Sequence, residues 1–411
     1  MKAVITGVGA VTPVGLTATE TWNNLVAGVS GAGPITRFDA SMLPVQIAAE
    51  VKGFDPAPYM DVKDARRMAR FAQMAVAAAR QAAEDAALVL SDAERPRAAA
   101  AIATGAGGFF DGVAEFDVYR ERGANRVSPF YVPLIAPNMG ACHVAMQLGL
   151  RGPALATVAA CAAGLYSFFE AKALIDAGLA DVVFAGAAES SMHPLPVASL
   201  ANMKALSRRN GDPTRASRPF DRERDGFVFG EGAIVMVVES ETRARARGAR
   251  VYAEVAGAGL SCDAHHITAP LEDGTGAEQA MTQAMLAAGA APSDIDYIAA
   301  HGTSTPLNDA TETRAIKQAF GQAAPGIAIS SPKSMVGHLM GAAGAVGAFT
   351  AAMACYSGVI PPTINLENPD PECDLDYVPQ VARKRVVRAA AANGFGFGGQ
   401  NGCIIFRKYA G

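Results

Sequence analysis

A chain of 411 residues is longer than the roughly 250–300 residues that one hydrophobic core organises, so two domains or two fused halves are expected. Half of its residues are hydrophobic and 18% are charged, a balance that excludes a disordered chain. A formal net charge of -4 excludes a broadly basic, nucleic-acid-binding surface, though a local basic patch could still meet an acidic partner.

In chain order, residues 2–6 predict a strand, 64–86 a helix, 99–103 a strand and 162–177 a helix. Strands follow at 182–185, 233–239 and 251–257, then a helix at 278–288 and a strand at 297–300. A helix over 309–320 and strands at 327–330 and 403–407 complete the pattern. Alternating strands and helices argue for an α/β layered fold. Two windows echo each other: GFVFGEG (226–232) precedes AIVMVVE, and GFGFGG (394–399) precedes CIIFRK. The echo places a division near residue 250, giving halves 1–250 and 251–411.

The six cysteines (142, 161, 262, 355, 373, 403) form no CxxC pair, which points to a reducing, cytoplasmic setting. The opening MKAVITGVGAVTPVG lacks the apolar core and cleavage site of a leader. The most apolar run, 341–355, falls short of the roughly 18 residues that cross a bilayer. A buried helix and no membrane insertion are expected there.

Four windows carry candidate chemistry. Cys161 follows TVAA and opens a helical stretch, so the helix N-terminus is expected to favour its thiolate. His301 stands where the apolar run DYIAA meets Gly302, Thr303, Ser304 and Thr305, at the mouth of a sheet. Lys333 and His338 bracket the start of a Gly/Ala helix, and a cation beside a histidine favours its neutral form. The GFGFGGQN loop, with Phe395, Phe397 and Asn401, lacks the Lys-Ser/Thr of a phosphate loop. Thr268, after His265-His266, is a candidate channel residue. Gly7-x-Gly9 lacks the third glycine of a dinucleotide site, because position 12 is Thr. No His/Cys/Asp spacing suggests zinc.

Together these windows strongly resemble the β-ketoacyl-[acyl-carrier-protein] synthases, most of all the type II elongating enzymes. The resemblance runs from VITGVGAVTPVG through SRPFDRERDGFVFGEGA, AHGTSTP, KSMVGHLMGAAGA and PPTINLENPD to FGFGGQNGCIIFRK. It implies a thiolase fold: two similar halves with mixed five-stranded sheets in five α-β-α-β-α layers. It also implies a homodimer, an acyl carrier protein as partner, and no cofactor beyond the phosphopantetheine on that carrier. By position, Cys161 resembles the acyl-accepting nucleophile, His301 and His338 the histidine pair, and Lys333 the supporting cation. Phe397 resembles the oxyanion and gating residue, and Thr303 and Thr305 the phosphopantetheine contacts. The implied reaction is decarboxylative condensation of an acyl thioester with malonyl-carrier, as in fatty acid elongation.

Three departures stand out: Ala159, Gly347 and Gln400 replace a commoner Thr, Glu and Thr. Gly347 removes a carboxylate from the lysine network, which leaves Glu312 as the candidate partner of Lys333. Small Ala106 lies where the family often has a bulkier tunnel residue, with Tyr131 and Leu200 as candidates to refill that space. Medium to long acyl chains are therefore expected. Arg66, Arg67 and Arg70 are expected on one helical face, with Arg126, Arg208 and Arg209 in loops, as a docking patch for the acidic carrier. The rival readings are a polyketide ketosynthase subunit, a non-catalytic chain-length partner, and a degradative thiolase. The second would lack Cys161, and the third needs a second cysteine in the glycine loop.

Overall fold

The structure, a computed structural model, describes residues 2–411. Ten strands form its main sheet. They are β1 (Ala3–Val11), β2 (Ala98–Ala103), β3 (Ala154–Leu155), β4 (Val182–Glu189), β5 (Gly232–Ser240), β6 (Ala253–Cys262), β7 (Tyr297–Ala299), β8 (Ala328–Ser330), β9 (Ala389–Gly396) and β10 (Gln400–Arg407). Their spatial order is β8-β7-β9-β10-β6-β1-β5-β4-β2-β3. That order reads the same from either end: five strands from each half, meeting at β6 and β1. The two expected five-stranded sheets are thus continuous, because Ala3, Val4 and Ile5 pair with Val255, Glu254 and Ala253. In each set two pairs are antiparallel (β1–β5 and β4–β5, β6–β10 and β9–β10) and the outer pairs are parallel.

Six helices cover this sheet: α1 (Arg70–Asp85), α2 (Met139–Leu148), α3 (Ala163–Asp176), α4 (Thr275–Ala288), α5 (Pro306–Phe320) and α6 (Ala343–Ser357). Strand alternation sorts the core. Ala99, Ala101, Val183 and Ala185 face inward with Ala390, Ala392, Ile404 and Phe406, and enclose α3 and α6. Ala100, Ile102, Val182 and Phe184 face α1 and α2. Ala389, Ala391, Cys403 and Ile405 face α4 and α5. The five layers are therefore helix, sheet, helix, sheet, helix, which is the thiolase fold.

Three expectations need correction. The helix over 64–86 is two helices, Val62–Ala65 and α1. Its chain turns at Arg66–Ala69, where the Gln73 amide donates to the carbonyls of Ala65 (2.8 Å) and Met68 (3.2 Å) and so closes the first helix. The GFGFGG window is only partly a loop, because Gly394, Phe395 and Gly396 pair with Gly402, Asn401 and Gln400. The apolar run near 341–355 is longer than expected: Met340–Ser357 is 18 residues, enough to span a bilayer by length. Most of it is buried between the two sets of strands, so packing rather than length makes it a core helix.

The central helices touch through glycine. A Cβ at Gly164 would lie 2.3 Å from the Ala345 backbone nitrogen, and one at Gly344 would lie 2.9 Å from that of Leu165. Backbone cannot swing aside as a side-chain tip can. Gly164→Ala is predicted to lower the unfolding free energy by about 1–3 kcal/mol, as overpacking does. A urea midpoint equal to the wild type's would show that α3 and α6 have room between them.

Candidate active site

Three neighbouring strands, β8, β7 and β9, run parallel and end at one edge. Their carboxyl ends deliver the reactive groups, as α/β sheets commonly do. His301 lies two residues past β7. Lys333 opens the short helix Lys333–Val336 just past β8, and His338 follows that helix. Phe395 is the penultimate residue of β9, and Phe397 lies in the turn before β10. Cys161 reaches the same point from the other half, in the 3-10 turn Ala160–Ala162 ahead of α3. Ala160 carries that turn with φ of 44°, a left-handed value strained for a residue with a Cβ.

The Cys161 sulfur and one ring nitrogen each of His301 and His338 lie within 4.8 Å of one another. All three residues are buried, as is Lys333. The rings of His301 and His338 stand edge to face, 5.7 Å apart. The backbone N–H groups of Phe397 and of Cys161 itself favour negative charge on the sulfur.

His301 is held by its backbone from both sides. Lys333 Nζ donates to its carbonyl. Glu312, on α5, accepts the N–H groups of His301 (2.8 Å) and Gly302 (2.7 Å), and Asn393 Nδ2 donates to the same carboxylate at 3.2 Å. Lys333 and Glu312 thus grip one peptide at its two ends. A side chain at position 347 would start 3.8 Å from the Ala392 Cβ, inside the apolar central layer.

Burial dominates the electrostatics. It pushes the Cys161 thiol up to about 11, and the Lys333 charge and the Phe397 N–H pull only partly against it. A thiolate favoured by the helix N-terminus was expected; burial works against it, raising the thiol more than the Lys333 charge and the neighbouring N–H groups lower it. Burial, then the Lys333 charge, holds His301 and His338 well below the usual imidazole range, so both rings are neutral. Burial also lowers Lys333 to about 8, against the pull of Glu312. His338 Nδ1 accepts the Met340 N–H at 3.0 Å, which leaves the ring proton on Nε2 as a donor. His301 Nδ1 has no partner among the described residues, so its tautomer is free. A protonated Nε2 on His338 and the nearby Lys333 charge make this donor set a poor cation site.

A cavity of about 330 Å³ opens from the surface onto Cys161, His301 and His338. Thr303, Thr305, Thr268, Asn401, Phe395 and Phe397 lie on its wall, as the sequence placed them. The Thr303 and Thr305 hydroxyls meet at 2.9 Å.

The β-ketoacyl synthase N-terminal domain matches residues 2–244, and the corresponding C-terminal domain matches 252–367. The chain belongs to the β-ketoacyl synthase family. It is 47% identical over 408 residues to 3-oxoacyl-[acyl-carrier-protein] synthase 2 of Synechocystis, covering 99% of this chain and 98% of that one. Among solved structures it resembles the ishigamide ketosynthase/chain length factor, with a TM-score of 0.92, 36% identity and coverage of 100% and 99%. It also resembles a type II polyketide ketosynthase solved with its acyl-carrier protein, with a TM-score of 0.89, 32% identity and 99% coverage of both chains. The protein is a condensing enzyme of the thiolase superfamily.

Elsewhere in the synthase several expectations fail. Ala106, Tyr131 and Leu200 are not on the cavity wall. Leu200 packs behind it, in an apolar cluster with Met340 and Phe397, and Tyr131 lies near Gly112 in a surface segment. The arginines do not share a helical face. Arg66 is exposed at the end of the short first helix. Arg67 covers the Phe130 ring at 4.7 Å. Arg70 pairs at 3.0 Å with fully buried Glu231 and donates to the Val51 carbonyl at 2.9 Å, so it serves the core. Arg209 faces Glu223 and Asp225 at 3.6 and 3.8 Å. Arg126 and Arg208 are exposed. Sequence reading missed Lys204 and Met340, both on the cavity wall, and Phe227, whose ring centroid is 4.9 Å from that of His338. It also missed Asp263, which holds the Asn401 amide at 2.7 Å. Only the turn before GAAGA signalled any of these, through Met340.

The buried thiol makes a direct prediction. Alkylation of Cys161 by iodoacetamide should keep accelerating from pH 8 towards about 11. Lys333 loses its own charge through about 8, so Lys333→Met should slow alkylation below that pH and change the profile little above it. Saturation near pH 8 in the wild type would contradict the electrostatics.

Proposed function

We propose that Cys161 carries the acyl group and that the two imidazoles divide the remaining work. The supporting observation is the meeting of one thiol and two neutral imidazoles, with the His338 proton fixed on Nε2. In the first half-reaction Cys161 attacks the acyl thioester on the carrier's phosphopantetheine. His301, whose Nδ1 is free, takes the thiol proton as the sulfur adds, and passes it to the departing carrier thiolate. The N–H groups of Cys161 and Phe397 hold the oxyanion. Malonyl-carrier then enters and loses carbon dioxide, leaving an enolate. His338 Nε2–H donates to the enolate oxygen, and the neutral His301 adds a second donor. The enolate carbon attacks acyl-Cys161, giving 3-oxoacyl-carrier and the Cys161 thiolate, which is reprotonated. One proton is taken up overall, and no redox step occurs. Lys333 and Glu312 are positioning residues that lock the His301 backbone.

The reaction is chain elongation in fatty acid biosynthesis. Its substrate partner is an acyl carrier protein delivering acyl and malonyl groups, in keeping with the carrier complex of the polyketide relative. A polyketide ketosynthase reading has the same chemistry; the higher identity to synthase 2 favours fatty acids. Unpaired cysteines at all six positions suit a cytoplasmic protein, and a homodimer is the proposed assembly. Medium to long chains are the proposed substrates, because Met340 is an adaptable side chain on the cavity wall.

Two measurements test this reading. Mass spectrometry after incubation with acyl-carriers should show one acyl adduct on Cys161, and Cys161→Gln should abolish it. A wild-type protein that never loads would overturn the assignment. The proposed carrier surface combines Arg66, Arg67, Arg126 and Arg208 with Lys204 at the cavity mouth. Reversing the four arginines to Glu should raise the KM for acyl-carrier, most strongly at low salt, with kcat kept. An unchanged KM would remove that surface.

A further inference from the structure

The two halves repeat the active-site turn, but only one repeat is reactive. In the first half, Ala160 (φ 44°) precedes Cys161 and helix α3. In the second, Met340 (φ 45°) precedes Gly341 and helix α6. The strand ends repeat as well: β9 ends at Gly396 beside Cys161, and β4 ends at Glu189 beside Gly341. Glycine at 396 leaves open the space where a substrate oxygen meets the Cys161 N–H. In the other half that space holds the Glu189 carboxylate.

Glu189 is completely buried, and no Lys or Arg pairs with it among the described residues. Its oxygens are held by neutral donors. Oε2 accepts the N–H groups of Gly105 (2.7 Å) and Gly341 (3.2 Å), the Ala106 N–H adds a third, and the Ser191 hydroxyl donates to Oε1. These contacts join two walls. Gly105 and Ala106 form the loop after β2. Gly341 follows Met340, whose own N–H fixes the His338 tautomer at 3.0 Å. The carboxylate also lies close enough to Cys161 to oppose ionisation of the thiol.

We propose that Glu189 is a positioning residue: it fills the unreactive half's counterpart of the oxyanion site and ties the Gly105–Ala106 loop to the Met340–Gly341 turn that orients His338. This rests on the condensing role of His338 proposed above. Two variants separate charge from geometry. Glu189→Gln keeps a carbonyl for Gly105 and Gly341 and turns its amide to Ser191, so shape is kept and charge removed. Glu189→Asp keeps the charge, but it is one methylene shorter and releases the loop.

Acylation of Cys161, malonyl decarboxylation and the pH profile of Cys161 alkylation are measured for each, with thermal unfolding by circular dichroism. Glu189→Gln should retain decarboxylation and shift the alkylation profile to lower pH by roughly half a unit, about a threefold gain in rate at pH 8. Glu189→Asp should still load an acyl group and keep the wild-type alkylation profile, while its decarboxylation kcat falls about tenfold or more. A wild-type kcat in Glu189→Asp would overturn the proposal, as would an equal loss of kcat in Glu189→Gln. Should Glu189→Asp fail to fold, Glu189→Gln decides alone: an alkylation profile identical to the wild type's rejects the carboxylate's influence on the site. Failure of the wild type to load Cys161 would instead defeat the condensing reading itself.

Discussion

Desolvation governs this site. A thiol, two imidazoles, an ammonium and a carboxylate share a region with almost no exposure, and each is displaced towards its neutral form. A helix N-terminus contributes only partial charge, and here it loses to burial. The consequence for the proposed chemistry is specific. With the thiol protonated at rest, a neutral base beside it is required, and His301 is the ring whose tautomer the protein leaves open. His338 is the opposite case, because the Met340 N–H commits its Nδ1. The two histidines are therefore not interchangeable.

Placing such groups in a dry interior demands a rigid frame. The frame is the double sheet with α3 and α6 sealed between its two sets of strands. Close glycine contacts bring the two helices together, and each helix starts with a strained turn that presents a backbone N–H to the site. Lys333 and Glu312 then hold the peptide at His301 from both ends, so opposite charges are buried without direct pairing. The absent carboxylate at position 347 is accounted for in the same terms. That position faces Ala392 in the central layer, and the His301 peptide is already satisfied by Glu312.

Much of this was legible in the sequence because periodicity and motif order report local rules. Strand alternation separates the inner face of β9 from its outer face, and the AHGTSTP and KSMVGH windows mark the strand ends where His301, Lys333 and His338 emerge. What stayed hidden depends on distant pairs. The helix over 64–86 breaks because Gln73 caps the short helix before it, which periodicity cannot register. Arg70 looks like a surface cation until Glu231, 161 positions away, claims it. Lys204 and Asp263 reach the cavity through loop conformations without a sequence signature. The thiol's direction of shift was misjudged for the same reason: the helix was visible in the sequence and the depth of burial was not.

The duplicated turn also clarifies why one half reacts and the other does not. An oxyanion site is a set of unsatisfied N–H donors awaiting negative charge. A buried copy left empty would carry unpaired donors, each costing about 1–3 kcal/mol. In the second half the Glu189 side chain fills that space with its oxygens, so Gly341, Gly105 and Ala106 are satisfied. In the first half glycine at 396 withholds any such side chain, and the donors of Cys161 and Phe397 stay available. In the proposed chemistry, reactivity on this scaffold follows from which half leaves its donors unfilled, and the proposed role of the filled half is to anchor the histidine opposite.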